Sequence, residues 1–68
     1  VRDIALRDWR ASARINNISD RDMRISVART VLYRKRTYVE LGWFARDIAG
    51  IRCDIRLLVD YIKEMEKL

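Results

Sequence analysis

The sequence predicts an all-α fold, and three observations carry the prediction. No proline interrupts its 68 residues. Half of the residues are hydrophobic and 37% are charged, too apolar a mixture for a disordered chain and rich in arginine, which favours helices. From Leu41 onward, apolar side chains recur at alternating spacings of three and four, the pattern of a helix with one sustained apolar stripe. The predicted architecture is a small three-helix unit, with a short, a medium and a long C-terminal helix, in one domain over residues 1–68.

The first helix is expected over residues 3–15. Ala5, Leu6, Trp9 and Ala13 fall on one side of a 3.6-residue helix, with Arg7, Arg10 and Arg14 on the adjoining side. Asn16 and Asn17 follow, a residue type that tolerates the left-handed conformation at helix ends. The second helix is expected over residues 20–35. Ser19 can cap it, Asp22 places negative charge in its first turn, and Ile18 can staple onto Met23. Two apolar stripes, Met23/Val27/Val31 and Ile25/Ala28/Leu32, predict that it touches two neighbours.

Tyr33-Arg-Lys-Arg36 contains neither Gly nor Pro, whereas Thr37-x-x-Glu40 matches a capping box, which places a helix break near residues 35 to 38. The competing reading is one helix from Asp20 through Ala49, with Thr37 an ordinary helical residue. The third helix is expected over residues 38–67, on the heptad series Leu41, Phe44, Ile48, Ile51, Ile55, Leu58, Ile62 and Met65. This register runs through Gly50, which is therefore expected inside the helix. A flanking stripe of Trp43, Gly50, Leu57, Tyr61 and Leu68 predicts a close neighbour at that glycine.

At ~1.5 Å per residue the third helix would span roughly 45 Å, about twice the second. Either the first two helices lie end to end along it, or a second copy covers the remainder. A chain this small, without a disulfide, favours the homodimeric helical bundle, joined through the heptad residues named above. Arg46-Asp-Ile-Ala49, Gly50-Ile-Arg52 and Ile55 resemble part of a helix-turn-helix motif, which implies a turn at Gly50 with Arg52 and Arg56 facing a DNA groove. The segment has about two residues too few between Ala49 and Gly50 for that motif, and the heptad continuity predicts helix there instead.

Composition excludes several chemistries. With no His, one Cys and two distant Gly, the chain lacks Ser-His and Cys-His pairs, the usual metal ligand sets and phosphate-binding glycine loops. Asp60/Glu64 and Asp47/Asp54 share helix faces, but without His they lack the ligands of helical di-metal sites. A non-enzymatic protein without cofactor or metal is expected. No apolar run reaches a membrane span and no leader pattern is present, and Cys53 stands alone, so a cytoplasmic, reducing location is expected.

Charge is uneven. Residues 1–36 carry ten basic residues against four acidic, a net +6, whereas residues 37–68 carry five against six, a net −1. Twelve of the fifteen basic residues are Arg, whose planar fork donates two parallel hydrogen bonds to an oxyanion. The function expected from this division is phosphate binding by a basic N-terminal half, through Arg7, Arg10 and Arg14, then Arg21, Arg24 and Arg29, then Arg34, Lys35 and Arg36, with DNA ahead of RNA as the partner. Trp9, Tyr33, Tyr38, Trp43 and Tyr61 can stack on bases or pack in the core. The alternative is a protein-interaction module, its C-terminal helix docking on itself or a partner and its basic half meeting an acidic protein surface. Helix 1 carries too many Asp to lie on a membrane by itself.

Overall fold

A computed structural model describes residues 2–68, and its regular structure is helical throughout. The elements are α1 (Trp9–Asn16), α2 (Arg21–Glu40), a single 3-10 turn (Ala45–Asp47) and α3 (Ile48–Glu66). The helices are short, medium and medium, since α3 is one residue shorter than α2.

Residues 2–8 are not helical. They form an extended strap in which Ile4 and Leu6 are buried and Ala5 is exposed. Distant side chains satisfy its backbone: the Asn16 carboxamide exchanges two 2.9 Å hydrogen bonds with the Ile4 backbone, and the Leu6 amide donates to Ser12 Oγ at 2.8 Å. The helix expected from residue 3 therefore starts at Trp9, where Asp8 Oδ1 accepts from the Ala11 amide. The inward residues of α1 are Ala11 and Ile15, not the expected Trp9 and Ala13, which are exposed.

Asp20, one residue after the expected Ser19, caps α2 by accepting from the Met23 amide at 2.9 Å. Ile25, Ala28 and Val31 of α2 are buried, with Val27 and Leu32 packed against them, while Met23 is exposed. The break expected near residues 35 to 38 does not occur there. Thr37 is an ordinary helical residue whose hydroxyl donates to Tyr33 O, and α2 continues to Glu40. It ends on Gly42 at φ +72°, a left-handed position open to glycine without steric penalty. The Gly42 amide donates to Val39 O and the Trp43 amide reaches back to Tyr38 O at 2.9 Å, closing the last carbonyls of the helix.

Leu41 and Phe44 thus lie in a turn, and the third helix starts about ten residues later than the heptad pattern implied. Phe44 itself is left-handed at φ 57°. Its carbonyl accepts from Asp47 N at 2.8 Å, and its ring stands edge-on to Tyr38 at 5.3 Å. Gly50 lies within α3, as the register predicted, so no helix-turn-helix turn exists there. A Cβ on Gly50 would fall 1.7 Å from Arg7 Nη1, so the close neighbour is a guanidinium from the strap and not another helix.

Arg21 at the start of α2 meets Met65 at the end of α3, and Lys35 meets Asp54, so the two helices pack as an antiparallel hairpin of near-equal arms, each roughly 30 Å long. The strap and α1 cross this hairpin. Ile15, Leu58, Tyr61 and Met65 are its fully buried centre. With α3 no longer than α2, the overhang that called for a second copy does not exist. Of the heptad residues, Ile51, Leu58, Ile62 and Met65 are buried inside the single chain, Ile48 and Ile55 are half-buried, and Leu41 and Phe44 are exposed.

Candidate nucleic-acid interface

Two charged side chains of α2 belong to its buried face, at the ends of the series Arg24, Ala28, Val31, Lys35. Arg24 is 5% exposed and acts as a clamp. Its guanidinium donates to the carbonyls of Arg2, Asn16 and Ile18, to Tyr61 Oη and to Asp3. Tyr61 in turn donates to Arg2 O at 2.6 Å. The Tyr61 hydroxyl first, with Asp3, raises the Arg24 pKa above its ordinary value against the opposing effect of burial.

Lys35 answers this clamp at the other end. Its Nζ donates to Asp8 Oδ2 at 3.1 Å and lies 3.8 Å from Asp54 Oδ2. Asp54, 2% exposed, accepts from the backbone amides of Arg7 at 2.8 Å and Asp8 at 3.1 Å, which fixes the strap to α3. Burial alone would raise the Asp8 pKa, but the Ala11 amide, Lys35 and the Arg10 amide together hold it below 3.8. Every buried side-chain nitrogen or oxygen among the described residues has a partner.

The sequence-derived basic residues therefore divide. Arg24 and Lys35 are interior. Arg7 pairs with Asp47, Arg21 with Asp22 and the Met65 carbonyl, and Arg29 with Glu66. Arg10, Arg14, Arg34 and Arg36 form no ion pair among the described residues.

Three of those four converge. Arg10 and Arg14, four residues apart on α1, and Arg34 on α2 line a groove of about 210 Å³ between the two helices, floored by Ala11 and Val31. Asp8, Lys35 and Tyr38 complete its lining. The Arg10 guanidinium also lies over the Trp9 ring, 5.8 Å from its centroid, which orients it without neutralising it. Asp8 and Lys35 compensate one another, so the lining carries three unpaired cations, Arg10, Arg14 and Arg34. Arg36 is exposed and lies outside this groove, as do Arg52 and Arg56 on α3.

A second cavity, of about 340 Å³, adjoins the first and shares Asp8, Lys35 and Tyr38 with it. Phe44 and Ile51 give it apolar walls. Beside it, Trp43 stacks on Tyr38 at 5.6 Å and 23°.

Sequence reasoning missed Asp8 and Asp54 as parts of these sites, and named Tyr38 as a stacking or packing residue without placing it beside Arg34. Asp54 carried a signal: it sits three residues after Ile51 and four before Leu58, a carboxylate in the apolar stripe. Tyr38 lies one helical turn beyond Arg34, a relation hidden by the expected break between them. Comparison of the chain with known protein families, curated proteins and solved structures finds no match. No helix among the described residues is long and apolar enough to cross a membrane.

Proposed function

We propose that this protein binds nucleic acid by neutralising phosphates in the groove between α1 and α2. The convergence there of Arg10, Arg14 and Arg34, none of them paired with a carboxylate, carries the reading. Arg36, Arg46, Arg52, Arg56, Lys63 and Lys67 also lack an ion pair among the described residues, but none of them lines this groove. An unpaired arginine on a shared groove wall offers its planar fork to an oxyanion without first breaking an ion pair. Phosphate contacts of this kind position a strand without reading its bases, so modest sequence preference follows. The protein acts in this reading as a binding module without cofactor or catalytic step.

The test is fluorescence anisotropy of labelled mixed-sequence DNA and RNA oligonucleotides, titrated at several salt concentrations, with polyglutamate as an acidic competitor lacking phosphate. Three phosphate contacts predict log-log salt slopes of about −2 to −3. Changing Arg10, Arg14 and Arg34 together to Gln brings the slope close to zero. Equal affinity in the variant, or preference for polyglutamate over both nucleic acids, would remove the basis of the reading.

A further inference from the structure

The two cavities adjoin along Asp8, Lys35 and Tyr38, and the second sets Phe44 and Ile51 beside the charged Arg7, Asp47 and Asp54. Tyr38 borders both. Arg34 and Tyr38 are four residues apart on α2, hence neighbours on one face, with roughly 5–6 Å between their Cβ atoms. Just past Tyr38, the turn presents Trp43 and Phe44, 54% and 61% exposed.

Their exposure is built into the backbone. The left-handed Gly42 turns the chain so that the Trp43 ring lies flat on Tyr38. Phe44 adopts a left-handed conformation that ordinary side chains avoid, and its ring stands across Tyr38 outside the core. Large aromatic faces fixed in the open, next to unpaired arginines, suit flat ligands that carry phosphate.

We infer that the ligand is a single-stranded nucleic acid, with phosphates on Arg10, Arg14 and Arg34 and an unpaired base stacked on the Trp43–Phe44 turn. This rests on the phosphate-binding reading above and adds strand selectivity to it. In a duplex the base faces are covered by their neighbours, so only the phosphate contacts remain. A single strand can use both, because base stacking on aromatic side chains needs no particular sequence. The charge of the arginine wall also favours this occupant over an uncharged apolar partner.

The experiment compares single-stranded DNA, single-stranded RNA and duplex DNA of equal length, by anisotropy, for the wild type and Trp43→Ala, with helical circular dichroism as the check on folding. Single strands are expected to bind roughly tenfold or more tightly than duplex, and Trp43→Ala to remove that margin while leaving duplex affinity and the salt slope unchanged. In Trp9→Phe, which leaves Trp43 as the one tryptophan, bound single strand quenches the fluorescence. Duplex bound as tightly as single strand, with Trp43→Ala neutral, overturns the inference and leaves phosphate binding standing. Absence of binding to all three overturns both. A doubled mass in light scattering that Trp43→Ala abolishes, with single-strand affinity unchanged, assigns the aromatic turn to a second copy and also overturns it.

Discussion

Lys35 on α2 donates to the carboxylate of Asp8, and that same carboxylate caps α1. One ion pair thus ties together the two helices that wall the arginine groove. Asp54 completes the arrangement from α3 by holding the amides of Arg7 and Asp8. The groove is therefore a product of buried polar contacts as much as of apolar packing.

The Asp8 pair has an acid limit. Burial opposes ionisation, but the Ala11 amide and Lys35 prevail and lower the Asp8 pKa below 3.8. A depressed folded-state pKa means that this contribution to stability is present above the unfolded value and disappears as pH falls through the folded one. Urea midpoints measured down the acid range should drop below about pH 4, and Asp8→Asn should flatten that limb. An unchanged acid limb in the variant would contradict the assignment.

Removing the Arg24 clamp strands the carbonyls of Asn16 and Ile18, and leaves Arg2 O and Tyr61 Oη with only the hydrogen bond between them. Arg24→Met should destabilise the fold by about 3 kcal/mol, because buried acceptors lose their partner. Arg24→Lys cannot span the same set and should recover little of it. Chemical denaturation measures both.

The two glycines should respond in opposite ways. Gly42→Ala places a Cβ at φ +72° and should cost about 1 kcal/mol, with Gly42→Asn losing less. Gly50→Ala displaces only the ends of the Arg7 and Asp47 side chains and gains helix propensity, so its midpoint should stay within about 0.5 kcal/mol of wild type or rise. A large loss at Gly50 would show that the Arg7–Asp47 contact matters more than its exposure suggests.

The parts of the fold readable in the sequence were those written locally. The interior of α2, the passage of α3 through Gly50 and the buried Leu58, Ile62 and Met65 all follow from the apolar period. The strap was not legible, because Asn16, Ser12 and Asp54 satisfy its backbone from up to 47 residues away, and no periodicity reports that. The α2–α3 turn was misread for a different reason. Leu41 and Phe44 extend the three-four spacing across a break, so the pattern outweighed Gly42, which is the residue that ends the helix. For the candidate interface, charge marks the basic half but not its division. Arg10, Arg14 and Arg34 differ from Arg24 and Lys35 in what surrounds them, which depends on how α1 crosses α2.

That division is the central claim, and a charge-matched pair of variants tests it most directly. Arg10, Arg14 and Arg34 are changed to Gln in one protein and Arg46, Arg52 and Arg56 in the other, and single-strand affinity is measured against salt for both. Each loses three positive charges, so a general attraction to polyanions falls equally in the two. The groove account predicts that the first variant loses nearly all of its salt slope while the second keeps about −2, the value expected for three neutralised phosphates on a single strand. Equal losses in the two variants would contradict it.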